Sequence, residues 1–492
     1  MQKDLRDYSE IAAERATALS RRRFLWHAGA GLGSMALCDL LGGAPTQAAE
    51  SASADLGVLG SPHHHAPAKR IIFLFMAGAP SQIECFDFKP TLARLHGTEA
   101  PASIMGTQRL STMVKGQTTF PLVAPIAPLS QRGQSGAWVS DLLPHMGSVI
   151  DEFTVIKSMY TEQVNHDPAI KFIQSGFQLA GRPCMGSWVH YGLGSENADL
   201  PSFIVMSSRG EGPGQNINSE IWSSGFLPSH HGGVLFRPGK DAVLYVGNPE
   251  GISAEARGQA IDAITDLART QYERTGNREI LSKIAQYEMA YRMQSSVPEA
   301  TDIGDEPEHV LDLYGAAVRT PGSFARNCLL ARRLAERNVK FVQLYHNAWD
   351  HHAGHPMFHP VSMKEVDQAT AGLIQDLKQR GLLEDTLVVW GGEFGRTCFS
   401  QGELTGSSWG RDHHPGCFTY LMAGGGVKPG YTHGETDEFS YNIVKDPVHV
   451  HDVQATMMHL LGIDHERLTY RYQGRDFRLT DVHGKVVHEL IA

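Results

Sequence analysis

The chain has 492 residues, with 43 Lys and Arg against 53 Asp and Glu and a formal net charge of −10. This acidic balance, with no concentrated Lys/Arg run in the body of the chain, argues against nucleic acid or an anionic membrane surface as a partner and favours a small or sugar-like substrate. A hydrophobic content of 41% is enough for a buried core, and the 25 histidines are the unusual count.

Ser20, Arg21, Arg22, Arg23, Phe24 and Leu25 open a weakly apolar stretch that runs to about Gly43, and small residues follow to Ala48 and Ala49. This order of charged region, apolar region and small-residue cleavage site is that of a twin-arginine export signal over 1–49. A membrane anchor needs roughly 20 strongly apolar residues, whereas His27, Asp39 and five glycines interrupt this stretch. The expected mature protein is periplasmic or secreted, has met the twin-arginine export machinery, and has no stable membrane span. Residues 50–69 read as a linker, with His63, His64 and His65 as a solvated tether.

Arg70–Met76 is a continuous apolar run that ends in Ala77, Gly78, Ala79 and Pro80, as expected of a buried parallel strand and a tight loop. Similar runs occur at Phe153–Ile156, Ser202–Met206, Val339–Tyr345, Thr386–Trp390 and Phe418–Met422. Helical spacing occupies Asn327–Arg337 and Met363–Arg380 between them. Strands alternating with helices predict an α/β domain over 70–492, with a central, mainly parallel sheet flanked by helices on both faces. An insertion is expected at about 210–307. It comprises a long Gly- and Asn-rich loop to Gly233, a charged helical excursion over Ser253–Arg292 and a polar linker over Ser295–Glu308. Beyond Cys38, the five cysteines are not spaced as a disulfide framework.

In an open α/β sheet the ligand lies outside the carboxyl ends of the strands. That rule selects Ser81, Gln82, Glu84 and Asp87 after the first strand, and His346, Asn347, Asp350, His351, His352 and His355 after the strand ending at Tyr345. It also selects Glu393 and Arg396 after Trp390, and Asp412, His413 and His414 just before Phe418. Mixed carboxylates and imidazoles suit zinc or another divalent ion, and vacant positions on such an ion would make it catalytic. An arginine such as Arg396 suits a tetrahedral anion.

The motifs Phe73–Gln82 (FLFMAGAPSQ), Asn165–Ala169 (NHDPA), Trp349–His352 (WDHH), Trp390–Thr397 (WGGEFGRT) and Gly410–Pro415 (GRDHHP) together resemble the family called domain of unknown function 1501. That family belongs with alkaline phosphatases and sulfatases. The run from Met363 to Gly395, with Asp367 in it, is similar to the sulfatase helix, strand and ligand loop, with Glu393 in the metal-binding Asp position. His413 is similar to a late zinc-binding histidine, and Val450–Gly462 resembles the superfamily's terminal helix, with Asp452 and Thr456 in place.

Three departures bear on mechanism. Gly78 and Ala79 stand where the superfamily places Asp, so a ligand is missing or moved, to Glu84 or Asp87. His166, beside Asn165, stands where the nucleophile is expected. Phe394 replaces a ligand His or Asn. The resemblance therefore implies an alkaline-phosphatase-like fold and an exported metal-dependent hydrolase of sulfate or phosphate esters, acting on a small molecule or a polysaccharide. Asp350, His352 and His413 would hold one divalent ion of zinc or calcium type. His351 and Asp412 are further ligand candidates, and the choice among His351, His352 and His355 stays open. Glu393, with Glu84 or Asp87, would serve a second position and Arg396 would bind the anionic oxygens. Metal-bound hydroxide or His166 would attack, with Asn165 beside it. The alternative is an inactive relative that binds metal or carbohydrate in the cell envelope, in which His166 and Asn165 merely cap a helix.

Overall fold

A computed structural model of the protein describes residues 57–492, apart from 107–110, 240, 245–246, 249–250 and 278. The twin-arginine segment lies outside the described residues. The chain divides into two compact units, 54–247 with 268–492 and, separately, 1–53 with 248–267. The smaller unit is described at 248 and 251–267, mostly as the first part of a helix.

The apolar runs become strands because each is buried along its whole length, as in a sheet covered on both faces. In chain order the strands of the main sheet are β1 (Arg70–Ala77), β2 (Phe153–Tyr160), β3 (Phe203–Arg209), β4 (Val234–Phe236), β5 (Phe341–Asn347), β6 (Thr386–Gly391), β7 (Phe418–Ala423), β8 (Tyr431–His433) and β9 (Val448–His449). Among the described residues they order as β8-β2-β7-β6-β1-β5-β3-β4, with β9 also beside β2. Every pairing is parallel except the two made by β7, which runs against both β6 and β2.

The helices include α1 (Gln82–Cys85), α2 (His166–Ser175), α3 (Met185–Leu193), α4 (Ala254–Thr275), α5 (Glu279–Thr301), α6 (Glu308–Tyr314), α7 (Phe324–Glu336), α8 (His355–Gln379) and α9 (Val450–Leu460), and three more short ones, Pro90–Arg94, Ala102–Met105 and Pro144–Ser148, lie between β1 and β2. Alternation along β1 assigns them to layers. Ile72, Leu74 and Met76 join one apolar cluster with α5, α6, α7 and α8, while Ile71, Phe73 and Phe75 join another with α2, α3 and α9. The expected mainly parallel sheet with helices on both faces is what the chain forms. Among the described residues no helix is long and apolar enough to cross a membrane.

Other expectations change. Residues 57–69, read as a linker, follow the domain surface: Val58 N and Leu59 N donate to Tyr191 O and Gly192 O, and Ala68 N donates to Leu460 O. His63 is no solvated tether, since its Nδ1 accepts from Asp464 N at 3.0 Å. The stretch at 210–307 is only partly an excursion. Val234–Phe236 adds the edge strand β4, and Met293, Val297 and Ala300 of α5 enter the core. The polar linker expected from Ser295 is helical to Thr301 despite Pro298, because those apolar residues recur at helical spacing against α7. Helix α8 begins at His355, eight positions before the apolar periodicity is visible, with Pro356 in its first turn and Gly354 at its N-cap. Asp452 caps α9 by accepting from His449 N at 3.0 Å.

One buried ionic network fastens α6, α7 and α8. Arg332, 1% exposed, donates from Nε to Asp376 Oδ2 at 2.8 Å and from Nη2 to Glu306 Oε2 at 2.6 Å. Tyr314 OH donates to the same Asp376 oxygen at 2.8 Å. Removing one member of a buried pair leaves its partner uncompensated, which costs about 3–5 kcal/mol. Arg332→Ala leaves Asp376 paired with Arg380 and Glu306 with Arg333, so it is expected to lower the urea unfolding free energy by about 2 kcal/mol, and a loss below about 1 kcal/mol would show the network to be dispensable.

Candidate metal centre

The parallel strands end at one edge of the sheet, and β7, being antiparallel, begins there. Around this edge the backbone is forced into the left-handed region at Gly78 (φ 110°), Ala79 (φ 64°) and Ala348 (φ 87°). Glycine is required at 78: a Cβ there would lie 2.7 Å from Asp350 N and 2.9 Å from Trp349 N. The space beside Gly78 at the end of the first strand is thus filled by the backbone of the loop after β5. Gly78 N instead donates to Glu393 Oε1 at 2.8 Å.

Four side chains converge above this edge. His166 at the start of α2, Asp350 and His352 after β5, and His413 before β7 each offer a donor atom within 4.8 Å of the others. Asp350 Oδ1 is the hub, 3.1 Å from His166 Nε2, 2.9 Å from His352 Nε2 and 3.4 Å from His413 Nε2. His352 Nε2 and His413 Nε2 are 2.9 Å apart. Each imidazole is oriented from its far side. His413 Nδ1 donates to Val164 O at 2.6 Å, His352 Nδ1 to Gln401 Oε1 at 2.5 Å, and His166 Nδ1 to Glu393 Oε1 at 2.5 Å. With Nδ1 committed as a donor, each ring when neutral turns an Nε2 lone pair inward, and His166, whose pKa is raised, does so once it has given up its second proton.

Arg396 lies beneath, 1% exposed. Its Nε donates to Ala79 O at 3.0 Å and its Nη1 to Arg411 O at 3.1 Å. Nη2 reaches Asp350 Oδ1 at 2.8 Å, Trp349 O at 3.3 Å and also Gly78 O. The second oxygen of Asp350 accepts from Gln215 Nε2 at 3.0 Å. Burial opposes the charge of Asp350, but Arg396 and the three histidines outweigh it and hold the carboxyl well below its usual range. Burial likewise disfavours a charged His166, yet its bonds to Asp350 and Glu393 leave its pKa raised. Phe394 stacks against both His166 and His413, with ring centroids 4.8 and 4.6 Å away, and forms an apolar wall.

The structure thus brings together Asp350, His352, His413 and His166 and gives the other candidates different surroundings. Glu393 faces His166 Nδ1 and Gly78 N and stands one layer behind the cluster. Each nitrogen of Arg396 has a partner within the protein. Asp412 accepts from Ser111 Oγ at 2.7 Å and lies 3.9 Å from His352 Nδ1, also behind the cluster. Glu84 pairs with Arg411, with Oε1 2.8 Å from Nη2, and accepts from Ile126 N. Asp87 accepts from Ser440 Oγ at 2.6 Å and Thr436 Oγ1 at 2.5 Å and lies 3.3 Å from Lys89 Nζ. Neither acid replaces the missing ligand, because each faces away from the cluster. His351 points to the opposite side of its loop from Asp350 and His352. Asn165 is exposed and makes no side-chain cap to α2. Gln401, Gln215 and Ser111 hold the cluster in place but carry no sequence signal, since nothing in a lone amide or hydroxyl marks its partner.

A sequence profile of the family described as Protein of unknown function (DUF1501) matches residues 68–491. No curated protein matches the chain. Among solved structures, the chain is similar to the PsFucS1 sulfatase from Pseudoalteromonas sp. at 12% identity, over 83% of this chain and 69% of that one, with a TM-score of 0.34. It is similar to the lipoteichoic acid synthase LtaP from Listeria monocytogenes at 9% identity, over 87% and 78%, with a TM-score of 0.32. A protein in the alkaline phosphatase superfamily from Vibrio parahaemolyticus is similar at 11% identity, over 85% and 72%, with a TM-score of 0.31.

Burial at and near this edge gives a pH signature. It pushes His351 and His413 down to about 3, and His414 and His451 down to about 4. Each histidine's contribution is complete above its unfolded value of about 6.5. It is lost as pH falls toward the folded value, because the unfolded chain takes up protons that the folded chain refuses. His166, raised, works in the opposite sense and offsets part of this loss. In chelator, unfolding free energies are expected to decline from about pH 6.5 downward, by up to about 1.4 kcal/mol per pH unit for each such histidine. Flat stability from pH 7 to 4.5 would contradict the neutral, buried state of these rings.

Proposed function

The chain belongs to the family described as Protein of unknown function (DUF1501), and from that premise we propose that it is an exported, metal-dependent hydrolase of sulfate or phosphate esters carried by a small molecule or a polysaccharide. The observation that carries this reading is the convergence of three imidazole Nε2 atoms on Asp350 Oδ1 at the carboxyl ends of the strands. Export is supported by Arg21–Leu25 and the apolar stretch after them.

The residues fit a cation. With their Nδ1 atoms engaged, His352 and His413 face each other through two Nε2 lone pairs 2.9 Å apart. Lone pairs in that position repel unless a positive charge lies between or beside them. Zinc-to-nitrogen bonds of about 2.0 Å put neighbouring tetrahedral ligands about 3.3 Å apart, and the distances from Asp350 Oδ1 to the three rings are 2.9 to 3.4 Å. Three nitrogens and one oxygen suit zinc or a similar first-row ion; a calcium-type ion calls for six to eight oxygens. Asp350, His352 and His413 would hold the ion, with His166 as a fourth ligand that substrate or water displaces, and the ion would supply Lewis acidity toward a phosphoryl or sulfuryl oxygen.

The chain's other residues prepare that site. Glu393, Gln401 and the Val164 carbonyl fix the tautomer and orientation of the three rings, as partners of metal-binding histidines do. Arg396 holds Asp350 ionised and joins its loop to the end of β1. Phe394 keeps water from one side of His166 and His413. His166 serves as a ligand in this reading, so water is the attacking group and no covalent side-chain intermediate forms. A second reading, an envelope protein that binds metal or carbohydrate without turnover, draws its support from the full engagement of Arg396 and the lack of a side-chain hydroxyl at position 166.

Turnover separates the two. The zinc-loaded protein is expected to hydrolyse a member of a panel of sulfate and phosphate esters, with the rate abolished in Asp350→Ala and His413→Ala. If the loaded protein turns over nothing in the panel, the non-hydrolytic reading replaces this one. Glu393→Gln keeps the shape of the side chain and weakens the orientation of His166. Its zinc affinity, measured by competition with a chromophoric chelator, is expected to fall about 10–100-fold, and an unchanged affinity would remove Glu393 from the site.

A further inference from the structure

The loop after β5 alternates its side chains between two sides. Asp350 and His352 face the cluster above, whereas His351 turns into the interior toward the first two turns of α8. There it meets His355 and His359, four residues apart and therefore on one face of that helix. One ring atom from each of the three lies within 4.8 Å of the others, and His351 Nδ1 is 3.3 Å from His359 Nδ1. All three side chains are sealed, at 0%, 1% and 1% exposure.

Neutral histidines in a core ordinarily pair their N–H with an acceptor. Here neither ring nitrogen of His355 has a directed hydrogen bond. Glu84 Oε1 is 3.4 Å from His355 Nε2 but is engaged by Arg411, whose Nε is 2.9 Å away. Leaving a buried polar group without a partner costs about 1–3 kcal/mol. The 3.3 Å separation of His351 and His359 matches the edge of a tetrahedron with bonds of about 2.0 Å. Cys85 Sγ, buried and 4.0 Å from His359 Nε2, borders the same space.

We propose that His351, His355 and His359 form a second cation site, closed to solvent and suited to zinc or a similar first-row divalent ion. It goes beyond the hydrolase reading and does not depend on it. A sealed site of this kind has no room for substrate, so its role is to fix the loop of Asp350 and His352 to the start of α8. The two-position arrangement expected from the sequence, with Glu393 and Glu84 or Asp87 in the second place, is thereby replaced by one built from three histidines of a single segment.

The test is zinc-edge anomalous diffraction from crystals of the wild-type protein expressed and crystallised with zinc. A peak among the three imidazoles is expected, and three well-ordered rings with no peak between them would overturn the proposal. Zinc content of purified, dialysed protein gives a second measure. Asp350→Ala/His413→Ala is expected to retain one zinc per chain, and that zinc is expected to be lost when His355→Gln and His359→Gln are added. Zinc that survives the added substitutions, or no zinc in the first double variant, would count against the site. Failure of the hydrolase reading leaves these results unchanged, since they record the ion and not turnover.

Discussion

The guanidinium of Arg396 is the contact on which the candidate centre depends. It donates to the carbonyls of Gly78 and Ala79 after β1, of Trp349 after β5, and of Arg411 on the way to β7, and it meets the carboxylate of Asp350. A charge buried this deeply is tolerable only when paired and surrounded by acceptors. Those acceptors are the ends of strands that would otherwise have no reason to meet at one point. The same group that joins the loops also holds the hub of the cluster in its ionised form, so architecture and electrostatics cannot be altered separately here.

Backbone strain belongs to the same arrangement. Ala79 and Ala348 both occupy the left-handed region, which for a residue with a Cβ costs of the order of 1 kcal/mol. Their positions flank the contact between Gly78 and the Trp349–Asp350 backbone, where no side chain fits. The strain is offset by the fixed direction it imposes on three carbonyls toward Arg396 and on one amide toward Glu393. The close approach of the two loop backbones therefore shapes the whole edge.

The strands were legible because a parallel sheet covered on both faces demands unbroken apolar runs, and all six sequence runs became strands. Short strands such as Val234–Phe236 and Val448–His449 escaped notice, being too brief for any periodicity to register. The rule that ligands gather beyond the strand ends selected Asp350, His352 and His413, which the fold brings together. It could not tell which way a side chain turns. Glu84 and Asp87 follow β1 closely but face Arg411 and Ser440, and His351 differs from its two neighbours only by pointing the opposite way. His166 was found through its motif, whereas its partnership with Glu393 spans 227 positions and has no local trace. The roles of Gln215 and Gln401 arise wholly from tertiary placement.

Because β7 is the strand that runs against its neighbours, its leading residues arrive at the edge where the parallel strands finish, and His413 comes with them. The cluster therefore draws on segments after β2 and β5 and before β7, and it can close only when strands from far-apart parts of the chain have taken their final order. No fragment shorter than the stretch from His166 to His413 contains it. If the proposed cluster binds an ion, that affinity would consequently report completed folding: partly assembled chains, whatever helices or hairpins they have formed, would hold the ion no better than scattered histidines do.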